Sequence, residues 1–182
     1  MPESVICPAC KFENALATRF CIQCGMSTSA DTTEAADLTP NPRPEMMREE
    51  TAALLRRVAH ESGYKCVDTK AGIRVTVPIG ERKQRVHVTF NGQDDEGHDI
   101  ISFISVCGEY NSRHNQRLLH FNSRMTYGAF AISTIKGNEY FVVCANQLAE
   151  TADLAEIRKI LFEVACNADR IEDRLSGGKD VF

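Results

Sequence analysis

No run of about 18 apolar residues occurs in the 182-residue sequence, which excludes a transmembrane helix. Positive charge is also short. There are 21 Lys and Arg against 25 Asp and Glu, a formal net charge of −4, the wrong sign for a protein that grips phosphates broadly over its surface. The opening Met1-Pro2-Glu3-Ser4 has neither the basic flank nor the apolar core of a signal peptide, so a reducing, cytoplasmic location is expected. No internal repeat appears, and none of the five histidines stands beside Asp, Ser or Cys at a recognisable catalytic spacing. Hydrophobic content of 43% and charged content of 25% are ordinary for a globular chain.

Cysteine is what the sequence does have. Four of its eight cysteines fall in one segment, where Cys7-Pro-Ala-Cys10 and Cys21-Ile-Gln-Cys24 are separated by ten residues. Two such pairs suit a tetrahedral zinc ion, each turn supplying two thiolates. In a reducing compartment clustered cysteines are more often ligands than disulfides. Cys7, Cys10, Cys21 and Cys24 are therefore the candidate ligands of one structural zinc, the competing reading being a redox-active or disulfide pair. Bound zinc would carry the net charge from −4 to about −6, since four thiolates and one divalent ion add −2. Residues 4–26 form the module, and its apolar side chains (Val5, Ile6, Phe12, Leu16, Phe20 and Ile22) are too few to offset the entropy of ordering it. Structural zinc contributes roughly 10–16 kcal/mol, so the module is expected to fold only with metal.

The segment from Cys7 to Gly25 resembles the short zinc ribbon found at the ends of many prokaryotic proteins. Asn14, four residues after the second cysteine, matches that family, as do Phe20 before the third and Gly25 after the fourth. Lys11 departs from it by standing where the family usually has Gly.

Residues 27–44 are Ser, Thr, Ala, Asp, Glu and Pro with little that is large and apolar, and Pro40, Pro42 and Pro44 disfavour regular structure. This segment is expected to be a flexible linker. From Glu45 the pattern changes, and residues 45–178 read as one domain. Met47, Leu54, Leu55 and Val58 recur at helical spacing in a helix that should stop by Gly63. Strands follow over 64–68, over Ile73–Val77 and over Val86–Phe90, with turns at Asp68–Gly72 and Pro78–Glu81. Residues 99–107 are apolar on both faces and read as a central, covered strand. A second helix is predicted over 113–124, then strands over 128–132 and 140–144 joined by Lys136-Gly137-Asn138. In the last helix Asp153 and Glu156 match a capping box, and Ile157, Ile160, Leu161, Val164, Ala168, Ile171 and Leu175 form one stripe before Gly177-Gly178.

This order predicts an α+β domain, an antiparallel sheet with helices on one face, preceded by the small zinc ribbon. The pattern resembles the YbjN-like family, which shares its fold with type III secretion chaperones. Leu118-Leu119-His120-Phe121-Asn122 matches that family's helix and Gly128-Ala129-Phe130-Ala131 its next strand. The resemblance implies a small, non-catalytic protein that binds or regulates other proteins, often as a homodimer.

Other candidates are weaker. His60, His87, His98, His114 and His120 read as surface or half-buried histidines, and a triad would have to assemble from distant residues. Asn91–Asp99 is rich in carboxylates but lacks the alternating ligands of a calcium loop, so a solvated turn is expected. Cys66, Cys107, Cys144 and Cys166 read as small core residues. Arg82, Lys83 and Arg85, and Arg113, Arg117 and Arg124, could meet an acidic partner or nucleic acid but read first as solvated charge. The leading functional expectation is a non-enzymatic protein-binding adaptor whose partner the sequence does not name. A nucleic-acid-binding regulator is second, disfavoured because Lys11 and Arg19 are balanced by Glu3 and Glu13. An enzyme is third, for want of any motif.

Overall fold

The computed structural model describes residues 4–7, 11–15, 23 and 43–176. The chain divides into two compact units, Met1–Asn41 and Pro42–Phe182. In the first, β1 (Ser4–Ile6) pairs antiparallel with β2 (Glu13–Ala15), Val5 opposite Asn14.

The second unit opens with α1, Arg43–Glu61. It begins two residues before the expected Glu45, and Pro44 falls in the first turn, where its missing N–H has no intrahelical partner to lose. Gly63, at φ 70°, takes the chain out of α1. Six strands then form one antiparallel sheet: β3 (Lys65–Thr69), β4 (Gly72–Ile79), β5 (Arg82–Gln93), β6 (Asp99–Glu109), β7 (Ala129–Ile135) and β8 (Asn138–Leu148). Their order across the sheet is β3-β4-β5-β6-β8-β7, so β8 inserts between β6 and β7 and leaves β7 at an edge. A 3-10 turn (Ser112–His114) and α2 (Asn115–Asn122) bridge β6 to β7, and α3 (Leu154–Ser176) closes the described chain.

Alternation along the strands sorts the two faces. Val75, Val86, Phe103 and Val143 point to one face and are fully buried there with Leu55 and Val58 of α1 and Ile157, Ile160, Leu161 and Val164 of α3. The predicted α3 stripe is thus the core contact, and the Glu156 N–H donates to the Asp153 carboxylate at 2.8 Å, the forward half of the expected cap. All three helices share this face. The expectation for β6 is corrected in part. It is central, between β5 and β8, but helices cover only one of its sides. Ile104 and Val106 lie half-buried on the other side, opposite Cys144 and Val142 of β8.

Two buried side chains hold β5 to β6. The Gln84 amide donates to the Val106 carbonyl at 2.7 Å, and the Ser105 hydroxyl to the Arg85 carbonyl at 2.8 Å. They flank a bulge between Val106 and Gly108.

Candidate functional site

Among the expected zinc ligands only Cys7 lies within the described residues; Cys10, Cys21 and Cys24 lie outside them, as does Gly25. Cys7 is fully buried at the end of β1. Its N–H donates to the Phe12 carbonyl at 2.9 Å, and the Lys11 N–H donates to the Cys7 carbonyl at 3.0 Å. Lys11 adopts φ 62°, the left-handed conformation that Gly takes without strain. Lys11 thus holds a conformation suited to Gly, the residue the ribbon pattern has at this position. Asn14 is buried and its amide donates to the Phe12 carbonyl at 3.0 Å, tying β2 to the turn.

In the second unit an apolar groove of about 200 Å³ lies between α2 and the edge strand β7, lined by Asn115, Leu118, Leu119, Phe130, Ala131, Ile132 and Phe141. Helical geometry turns Leu118 inward and Leu119 outward. Leu118 is the one buried residue of α2, whereas Leu119 is 67% exposed, facing Ile132 of β7 at 47%. Phe121 stacks edge-on against Phe130 at 5.9 Å, and Phe141 forms the floor with Tyr110 at 5.2 Å.

The backbone edge of β7 is only partly used. The Phe130 N–H donates to the Asn122 side-chain oxygen at 2.7 Å, and the Asn122 amide donates back to the Phe130 carbonyl at 3.3 Å. Asn122 thereby clamps the end of α2 to the strand. By alternation, the outward backbone groups of Ile132 and Thr134 lie beyond the clamp, on the side of β7 that no strand pairs. An apolar trough beside open edge backbone is the arrangement that accepts an extended peptide.

A second hollow, about 350 Å³, lies against Cys107, Glu109, Tyr110, Asn111, His114 and Leu175. The Tyr110 hydroxyl accepts from the Asn115 amide at 3.1 Å, the Asn111 side-chain oxygen accepts from the Arg113 N–H at 3.1 Å, and the His114 ring packs edge-on to Phe141. Burial pushes the Cys107 thiol far above its ordinary value, so it stays protonated and poorly nucleophilic.

The remaining candidates disperse. His60, His87 and His120 are exposed at separate places. His98 pairs with Asp94 at 3.1 Å, a contact the sequence reading did not anticipate. Hydrogen bonding to Asp94 and its charge raise the His98 pKa, while the backbone N–H of His98 chiefly lowers that of Asp94. Asp94 also caps the turn by accepting from the Glu96 and His98 N–H groups, both at 2.9 Å, as expected of a turn built on its own Asx residue. Cys66, Cys144 and Cys166 are half-buried, each thiol raised first by desolvation.

Arg82 overturns the reading of it as solvated charge. It reaches α3 and meets Asp169 at 2.6 Å, Glu172 at 3.6 Å and Asp173 at 3.7 Å. The hydrogen bond to Asp169 raises its pKa further. Arg113, Arg117 and Arg124 are exposed, as expected.

No family model matches the chain, and no curated protein does. Among solved structures it is similar to a chain of the HopA1–SchA chaperone–effector complex, at 9% identity and a TM-score of 0.52, over 74% of this chain and 99% of that one. The Yersinia pestis type III secretion chaperone SycH, solved with a fragment of YscM2, is similar at 15% identity and a TM-score of 0.43, over 66% and 98% of the two chains. YbjN from E. coli is similar at 12% identity and a TM-score of 0.46, over 69% and 92%. The fold is secretion-chaperone-like: a large antiparallel sheet with helices on one face.

Proposed function

We propose that this protein is a non-enzymatic, chaperone-like adaptor that binds a segment of a partner protein. The groove between α2 and β7 carries the reading. It is apolar, exposes Leu119 and Ile132, and lies beside the outward backbone of Ile132 and Thr134. An extended apolar segment would add to the β7 edge by main-chain hydrogen bonds and seat alternate side chains in the trough. The chaperone–effector complex with a similar fold supports this reading. Among the described residues no helix is long and apolar enough to cross a membrane.

In the same proposal, Cys7, Cys10, Cys21 and Cys24 hold one structural zinc in a ribbon over residues 4–26. A linker over 27–44 tethers the ribbon to the YbjN-like domain, and the metal orders the ribbon rather than catalysing.

The test is affinity capture from native extract by the full chain and by the Leu119→Ser, Ile132→Ser double variant, with solution mass measured in parallel. A protein retained by the parent and lost from the variant supports the reading. A dimer that the variant converts to monomer would make a second copy the occupant, as the family resemblance implies. Identical capture by both forms, with a monomeric mass for both, would overturn the groove as a binding site.

A further inference from the structure

The helix-free face of the sheet is divided by charge. Alternation puts Lys65 of β3, Arg74 of β4, and Lys83, Arg85 and His87 of β5 on it. Cross-strand register brings them together: Arg74 lies opposite His87, and Thr76 stands between Lys65 and Arg85 as the partner of both. Strands about 4.8 Å apart leave these cations as near neighbours. The other side chains on this face of β3, β4 and β5 include Val67, Thr69, Thr76, Pro78 and Thr89, none of them a carboxylate; on β6, beyond the bulge, Glu109 follows on the same face opposite Tyr140. Lys65, Arg74, Lys83 and Arg85 form no ion pair among the described residues, in contrast to Arg82, whose side chain points through the other face to α3. Partial burial, then the charges of Arg74 and Arg85, push the His87 imidazole below its ordinary value. Like charges held this way in a chain of net charge −4 are a local concentration of positive potential.

Beside the cations the face turns apolar. Ile104 of β6 lies opposite His87, with Val106 two residues along, and among the described residues neither has a helix over it. We propose that this face docks a protein segment bearing Asp or Glu toward Arg74, Lys83 and Arg85 and apolar side chains toward Ile104 and Val106. Charge complementarity selects the acidic partner, and the adjoining apolar strip selects a polypeptide over a nucleic acid. No Phe, Tyr or Trp stands among the face positions of β3 to β6 to stack a base. The inference rests on the protein-binding reading above and gives the partner its chemistry, at a surface distinct from the groove.

The experiment uses the full chain and a short fluorescein-labelled peptide repeating Asp-Leu-Glu-Val, followed by anisotropy at low and physiological salt. Its controls are the same peptide with Asn and Gln in place of Asp and Glu, and an oligothymidylate of equal charge. The acidic peptide should bind saturably, and its amide counterpart about tenfold more weakly. Both Arg74→Glu with Arg85→Glu and the milder Arg74→Gln with Arg85→Gln should weaken it by about tenfold or more, with an unchanged melting curve. Added salt should weaken it as well. Leu119→Ser should leave it unchanged. Equal binding of the amide peptide, tighter binding of oligothymidylate, no saturation into the millimolar range or indifference to both arginine pairs would each overturn the proposal. Loss of binding in Leu119→Ser with the arginine variants intact would also overturn it, while leaving the adaptor reading standing.

Discussion

Replacing Arg82 by Met keeps the aliphatic stem and deletes the guanidinium that pairs with Asp169 and Glu172. The Asp169 and Glu172 side chains are 12% and 0% exposed, and Arg82 itself is 20% exposed. The guanidinium at 2.6 and 3.6 Å offsets the desolvation of these two carboxylates. Removing one partner of a buried pair typically costs about 3–5 kcal/mol, because the other charge stays behind. For a domain of this size each kcal/mol lowers the melting temperature by about 2–4 °C, so Arg82→Met should melt roughly 10 °C below the parent. Thermal unfolding followed by circular dichroism measures this. Adding Asp169→Asn to Arg82→Met should recover part of the loss, since the charge left behind is smaller, and the two changes should be clearly non-additive. A melting temperature within about 2 °C of the parent would refute the reasoning, as would strictly additive single and double variants.

Metal analysis should find one zinc per chain, and Cys7→Ser should release it while the far-ultraviolet spectrum of residues 43–176 persists; collapse of the second unit as well would contradict the two-module proposal. Gly72 has φ 147°, and a Cβ there would lie 2.1 Å from the Val88 carbonyl oxygen, so Gly72→Ala should destabilise by roughly 1–3 kcal/mol or more in denaturant unfolding. By proton NMR, His98 should titrate above the ordinary imidazole value and fall back in Asp94→Asn. Because that pKa is raised on folding, its contribution to the turn is full at pH below the unfolded value and is lost as pH rises through the folded one. Asp94 works in the opposite direction: its contribution is full above the ordinary carboxylate value and is lost as pH falls through its depressed folded pKa.

Much of the second unit is legible in the sequence because its elements are locally consistent. The 3.6-residue stripe of α3 and its Asp153 cap identify that helix without reference to anything else, and Ile73, Val75 and Val77 alternate as a strand with one covered face must. What needs the fold is what depends on distant residues. Nothing local tells that β8 pairs β6, and hence that β7 is the edge. Nothing local separates Leu118 from Leu119, although a helical wheel anchored on Phe121 would have placed them on different sides. Arg82 looked like its neighbours Lys83 and Arg85, yet strand alternation sends it to the opposite face. The signal was on α3, where Asp169 and Glu172 interrupt the apolar stripe three residues apart, beside Ala168 and Ile171. The double-sided apolarity of β6 read as a covered strand; instead Ile104 and Val106 face outward beside the cationic strands. The knuckle around Cys7 is the reverse case. Its spacing was the clearest local signal, and Lys11 at φ 62° occupies the position where the ribbon pattern would have Gly.

The central claim, that a partner protein seats against α2 and β7, is tested most directly by site-specific photocrosslinking in native extract. Benzoylphenylalanine in place of Ile132 should yield a discrete protein adduct, and the same group at exposed Lys70, between β3 and β4 away from β7, should not. Absence of an adduct at position 132, or the same adducts at both positions, would contradict the account.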